Sequence, residues 1–143
     1  MFLGEHTHSI DAKGRVAIPA KFRDKLTAGA IITRGLDNCL LIFAQHEWEP
    51  FAADLGKMSY AKANARAYIR HFTSGAAQVE FDAQGRVLVP EYLRTFARLK
   101  KEAVFIGLYD RIEVWDRESW ERYRQKTEGA AAEIAEKLSE LDI

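Results

Sequence analysis

Short apolar stretches bounded by turn residues fill the first half of the chain, and the same rhythm returns in the second. His6 to Ile10 reads as a short strand, residues 11–15 as a glycine-containing loop, and the β-branched run Val16 to Ile18 as a strand returning beside the first. Pro19 suits the first position of a short helix, where its missing N–H is not needed, and Phe22 and Leu26 at i, i+4 give that helix one apolar face. Strands follow at Ala30 to Thr33 and Cys39 to Phe43, joined by a turn at Gly35-Leu36-Asp37-Asn38. Helical periodicity then covers residues 45–55 and 59–72, meeting near Gly56. In the second half Pro90 opens a helix with Tyr92 or Leu93 and Phe96 on its apolar side. Ala103 to Leu108 and Ile112 to Trp115 form the strand pair, and residues 117–126 and 130–141 form helices around Gly129.

The halves share more than rhythm. Residues 11–19, Asp-Ala-Lys-Gly-Arg-Val-Ala-Ile-Pro, recur 71 positions later at 82–90 as Asp-Ala-Gln-Gly-Arg-Val-Leu-Val-Pro, with six of the nine identical. Downstream, Ala30-Ile31-Ile32 is answered by Ala103-Val104-Phe105, Gly35-Leu36 by Gly107-Leu108, Ile42-Phe43 by Val114-Trp115 and Trp48 by Trp120. Two repeats cannot make a solenoid, whose faces are buried by several neighbours. The expected fold is therefore α+β, a pseudo-twofold pair of ββαββ modules each followed by helices. The expected boundaries are a first module at 1–55, a helical connector at 56–74, a second module at 75–127 and a C-terminal helix at 128–143.

With 48% hydrophobic and 29% charged residues, the 143-residue chain should pack as a soluble fold. Its 21 basic residues cancel its 21 acidic ones, so any nucleic-acid contact has to be local. Charge is nonetheless segregated. Between Leu55 and Val79 there is no acid, and Lys57, Lys62, Arg66 and Arg70 give +4; from Glu128 onward five acids face Lys137 alone, giving −4. Lys62, Arg66 and Arg70 at i, i+4, i+8 form a stripe opposite Ala61, Ala65, Tyr68, Ile69 and Phe72, the expected buried side. Such a stripe fits a DNA-backbone contact, a solvated face or a partner for a neighbouring subunit's acidic tail.

Cys39 is the single cysteine and lies in an apolar run, as a buried thiol in a reducing compartment would. The start, Met1 to His6, lacks the pattern of a secretory signal, and no 18 apolar residues run together, so the expectation is a cytoplasmic protein without membrane contact.

The repeated loops carry the candidate chemistry. Asp11 and Asp82 suit side-chain bonds to backbone N–H groups two residues on, and Gly14 and Gly85 allow positive φ. Arg15 and Arg86 then project a rigid fork able to pair bidentately with guanine O6 and N7. Lys13 suits phosphate better than a base edge. For one copy a good turn alone explains the motif; its retention in both adds weight to a binding role. His6 and His8 share a strand face but have no Cys or acidic cluster at ligand spacing, and His46 and His71 stand apart, so no metal site is expected. No P-loop or Rossmann glycine pattern is present, so neither cofactor, small-molecule substrate nor enzyme activity is expected.

On these residues the chain resembles the MraZ family of bacterial transcription factors, built from two tandem AbrB-like modules of the swapped-hairpin, double-psi-barrel-like kind. The resemblance rests on Asp11 with Arg15 and Asp82 with Arg86, includes the start Phe2-Leu3-Gly4-Glu5, and spans nearly the whole chain. It implies binding of short repeated boxes in promoter DNA upstream of the division and cell-wall gene cluster, autoregulation as a repressor, nucleoid association and a ring-shaped homo-oligomer. The DNA-contacting positions it implies are Arg15 and Arg86; the residue pattern adds Lys13 and, more weakly, Gln84, Lys62, Arg66 and Arg70. Gln84 stands where the first copy has Lys13, which reduces the second loop's hold on phosphate. A head-to-tail ring would present its loops in one direction and so read direct repeats. The competing class is a protein-interaction module of the same fold, antitoxin-like or a scaffold.

Overall fold

The computed structural model describes residues 1–142 and places eight strands and six helices among them. In the first repeat these are β1 (Glu5–Ser9), β2 (Arg15–Ala17), α1 (Ala20–Arg23), β3 (Ala30–Arg34), β4 (Leu40–Ala44), α2 (Gln45–Gly56) and α3 (Ala63–Gly75). In the second they are β5 (Ala77–Val79), β6 (Arg86–Leu88), α4 (Glu91–Ala97), β7 (Glu102–Gly107), β8 (Ile112–Asp116), α5 (Arg117–Glu128) and α6 (Ala131–Glu140). The mixed α+β class and the doubled order of elements agree with expectation.

The pairing of the strands differs from a simple pair of hairpins. The six-stranded sheet runs β1-β7-β8-β4-β3-β5 and a second, two-stranded sheet joins β2 to β6. The first strand of each repeat thus leaves its own repeat: β1 pairs with β7 and β5 with β3, both antiparallel. The Val16 run, expected to return beside β1, pairs instead with β6. Only the isolated bridges Ile10↔Val16 and Phe81↔Val87 remain of the local hairpins. A pseudo-twofold axis passes between the central strands at Leu41↔Glu113 and through the ribbon at Val16↔Val87.

Alternation along the central strands explains how one sheet serves two layers. Ala30, Ile32, Leu40, Ile42, Ala103, Phe105, Ile112 and Val114 point to the core shared with Val16, Ile18 and Phe22 and their counterparts Val87, Val89 and Leu93. Leu41 and Phe43 point the other way, onto Leu55 of α2 and Phe72 of α3. Strands covered on both faces read as unbroken apolar runs, which is why β4 is buried throughout.

Several local expectations need correction. Pro19 and Pro90 are N-caps rather than first helical residues: their ψ values of 133° and 144° are not helical, and their carbonyls accept the first helical N–H groups. Of the two candidates in α4 Leu93 is the buried one, whereas Tyr92 is exposed and donates its hydroxyl to the Gly75 carbonyl at 2.8 Å. Helix α3 begins only after Lys62, which caps it in extended conformation, so Ala61 lies outside the helix and exposed; Tyr68 is also exposed, at 40%. Ala65 and Phe72 are buried on α3 as expected. The C-terminal helix forms, but all ten of its residues are exposed. Among the described residues no helix is long and apolar enough to cross a membrane.

Candidate functional site

Each loop is folded by its aspartate. Asp11 Oδ1 accepts the backbone N–H groups of Lys13 and Arg15, both at 2.9 Å, while Oδ2 accepts Arg15 Nε at 2.7 Å. Asp82 repeats this with the N–H groups of Gln84 and Arg86 at 2.9 Å and Arg86 Nε at 2.9 Å. The backbone closes the turn through Asp11 N–H to the Arg15 carbonyl at 2.9 Å and Gly14 N–H to the Asp11 carbonyl at 3.0 Å, with the same two bonds in the second copy. Gly14 at φ +87° and Gly85 at φ +75° hold the left-handed conformation that closure requires. The Arg15 N–H is the main cause that holds the Asp11 carboxyl below the ordinary carboxylate range, and the Arg86 N–H does the same for Asp82.

The aspartate takes one edge of each guanidinium and leaves the Nη groups without a hydrogen-bond partner among the described residues. The side chains are 35% exposed for Arg15 and 31% for Arg86, so both forks are reachable from solvent. The β2–β6 ribbon brings the loops together: Arg86 Nη1 lies 3.7 Å from Asp11 Oδ2. Lys13 and Gln84 are exposed beside them.

Two further arginines belong to this cluster and are not evident from the loop motif. A Cβ on Gly14 would fall 2.5 Å from Cζ of Arg94, and one on Gly85 would fall 2.5 Å from Cζ of Arg23. Arg23 and Arg94 sit one residue after the equivalent core positions Phe22 and Leu93, again 71 residues apart, so aligning the two short helices was the signal that could have found them. Lys13, Arg15, Arg23, Arg86 and Arg94 against Asp11 and Asp82 make five positive and two negative groups, a local +3 on a chain of net charge 0. Such a cluster can recognise an anion, and its two free forks can engage planar acceptor pairs.

Other candidates lie elsewhere. Lys62, Arg66 and Arg70 belong to the α3 region, which packs on the Leu41 and Phe43 face of the sheet, away from the core that holds β2 and β6. Arg66 is folded back, donating to the Tyr60 and Ala61 carbonyls at 3.1 Å each, with its guanidinium over the Tyr60 ring. The three cations therefore do not join the loops. Cys39 is fully buried, its thiol pKa is pushed up chiefly by desolvation, and it donates to the Leu36 carbonyl at 2.9 Å. His6 packs edge-on against Phe22 and His8 against Phe105, and burial lowers the His8 pKa. No group of three or more metal-ligating side chains is found among the described residues. A cleft of about 560 Å³ beside α5 is lined by Lys100, Glu102, Arg117 and Glu118, whose charges pair with one another, at 2.7 Å for Arg117–Glu102 and 3.5 Å for Lys100–Glu118.

Two copies of one unit that trade their first strands about a pseudo-twofold axis, each presenting an Asp-anchored arginine loop, define a protein of tandem AbrB-like modules. A family model described as "MraZ protein, putative antitoxin-like" matches residues 1–71 and again 72–141. Similar proteins called "Transcriptional regulator MraZ" occur in Desulforamulus reducens, 45% identical over 99% of both chains, and in Acetivibrio thermocellus, 47% identical over 100% of both. Another, from Thermoanaerobacter sp. strain X514, is 46% identical over 100% of both chains. The chain belongs to the MraZ family.

Proposed function

We propose that this protein is a sequence-specific DNA-binding transcriptional regulator, an autorepressor of the division and cell-wall gene cluster. It works in the cytoplasm at the nucleoid and reads direct-repeat promoter boxes with its two Asp-x-x-Gly-Arg loops. The observation that carries this is the pair of half-buried, solvent-reachable guanidinium forks, each held through Nε by its loop aspartate with the Nη groups making no hydrogen bond among the described residues, within a local +3 cluster on an otherwise neutral chain. A fork fixed in this way presents two parallel donors, the geometry that distinguishes guanine from other bases by about 1–3 kcal/mol. Arg15 and Arg86 supply base contacts, Lys13 a phosphate contact, and Gln84 less. Lys62, Arg66 and Arg70 contribute only weakly, to the DNA backbone.

One loop pair binds weakly, so assembly belongs to the same proposal. The exposed helix α6 carries Ile134 and Leu138, with Leu141 at its C-cap, at 42%, 44% and 68% exposure, and lies in the −4 tail, opposite in sign to the +4 segment around α3. A ten-residue helix is marginal in water on its own. Docking α6 of one copy on the α3 region of the next gives a head-to-tail contact that closes into a ring, and several protomers on adjacent boxes raise avidity by about 100-fold or more. The division into modules at 1–55 and 75–127, with 56–74 as connector and 128–143 as terminal helix, is part of this reading.

The test is a gel-shift titration on the protein's own upstream region at several salt concentrations. Arg15→Ala combined with Arg86→Ala should abolish box preference without changing the assembled mass; unchanged affinity would dismiss the loop mechanism. The uncovered α6 also favours a second reading, a protein-interaction module, for which a bound protein rather than DNA would copurify.

A further inference from the structure

Arg94 belongs to α4 of the second repeat but lies against the loop of the first. Arg23 belongs to α1 of the first repeat and lies against the loop of the second. The approach is close enough that a Cβ on Gly14 would stand 2.5 Å from Cζ and 2.6 Å from Nε of Arg94; on Gly85 the corresponding distances to Arg23 are 2.5 and 2.7 Å. The glycines are thus required twice, for their positive φ and for the guanidinium packed against their backbone.

A hydrogen-bonded relay connects the same groups. Arg94 Nε donates to the Val89 carbonyl at 2.9 Å, and Val89 N–H donates to the Gly14 carbonyl at 3.0 Å. Symmetrically, Arg23 Nη2 donates to the Ile18 carbonyl at 2.9 Å, and Ile18 N–H to the Gly85 carbonyl at 3.3 Å. Ion pairing does not explain these placements, because neither arginine has a carboxylate partner among the described residues and Arg23 Nε is buried without any partner. What the two side chains hold in place is the peptide preceding each projecting arginine, since Gly14 leads directly into Arg15 and Gly85 into Arg86.

We propose that Arg23 and Arg94 are positioning residues that brace the loops crosswise, Arg94 fixing residues 11–15 and Arg23 fixing residues 82–86. Each recognition loop is then completed by the other repeat. A guanidinium suits the role because it is flat enough to lie on a peptide while one edge still donates to a carbonyl, which an ammonium cannot do. The consequence for DNA rests on the function proposed above; the brace itself does not.

Amide hydrogen exchange on the full-length, DNA-free protein tests the brace. Arg94→Ala should speed exchange at Gly14 and Arg15 by about tenfold while leaving Gly85 and Arg86 unchanged, and Arg23→Ala should do the reverse. Arg94→Lys keeps the charge and most of the stem but not the flat plate, and should behave like Arg94→Ala. Loosening of the loop in the substituted residue's own repeat, equal loosening of both, protection restored by lysine, or no change would each overturn the proposal. Gel shifts then separate it from the reading it rests on. Arg94→Ala should relax base preference as Arg15→Ala does, and weakened binding with normal loop exchange would mean that Arg94 touches DNA directly, overturning the positioning role. If the Arg15/Arg86 double variant binds normally the DNA reading falls, while the exchange pattern still decides the brace.

Discussion

In the first repeat the helices after the sheet close over it: Phe43 stacks on Phe51 at 4.8 Å between ring centroids, Phe51 meets Phe72 edge-on at 5.3 Å, and Arg111 reaches across from the second repeat to lie 4.9 Å from the Phe43 ring. In the second repeat Trp115 packs on Trp120 and Tyr123 at 5.3 and 5.0 Å, but α5 buries no residue completely and α6 buries none at all. The two loops, by contrast, match bond for bond, and the strands pair in the same order although β1 runs five residues along β7 and β5 only three along β3. Positions that must meet their own copy across the pseudo-axis are constrained together, since a change in one repeat is felt by the other. The helices beyond β4 and β8 meet no such counterpart and have diverged in both burial and charge.

The largest test of this contrast is in the helices. Phe72→Ala removes a ring exposed to only 2% and should cost about 3–5 kcal/mol in urea unfolding. Ile134→Ala on α6 should cost less than about 0.5 kcal/mol in the dissociated protomer. Comparable losses would show that the two helical layers are equally integrated. Within the loops the repeats should instead respond alike: Gly14→Ala and Gly85→Ala each place a side chain at positive φ against a guanidinium and should destabilise by about 1–3 kcal/mol, read from thermal melts. A clear inequality would break the symmetry claimed for the core.

Finer distinctions lie at the one loop position where the copies differ. On the proposed reading, Lys13→Ala should lower the salt slope of DNA binding by about one, and Gln84→Lys should raise it by about one, in gel shifts over a range of ionic strength. The smallest effect concerns pH. Because the folded carboxyls of Asp11 and Asp82 titrate below their unfolded value of about 3.9, the loop order they supply is complete above that value and is lost as pH falls through the lowered one. Carboxyl chemical shifts should give both midpoints on the acid side of the ordinary value; a midpoint at or above it would mean that the loop bonds are not kept in solution.

Much of this was legible in the chain because the repeat of residues 11–19 at 82–90 fixes both loops and the order of elements around them. The exchange of strands followed only from the resemblance to swapped-hairpin modules and not from the residue pattern, for a physical reason: Val16 and Val87 are both β-branched and both buried, so the pattern of β2 is equally satisfied by its own β1 or by β6. The bracing arginines escaped for a different reason: on the short helices α1 and α4 the apolar spacing marks only the buried side, and Arg23 and Arg94 act on loops distant in sequence. The expected start of α3 fails because a turn at residues 59–62, closed by Lys62 N–H on the Ser59 carbonyl, precedes the extended cap Lys62 and removes Ala61 from the helical register. The amphipathic spacing of Ile134, Leu138 and Leu141 correctly signalled a helix, but periodicity gives a face without saying what covers it.

The self-pairing of Val16 with Val87 and of Leu41 with Glu113 across the axis has an implication for ancestry and for truncation. A half-length polypeptide carrying one copy could reach the same pairings only as two molecules trading their leading strands, at a cost that depends on concentration. Within the single chain that trade is unimolecular, so either half cut from it would have to recover its leading-strand pairing from a second molecule.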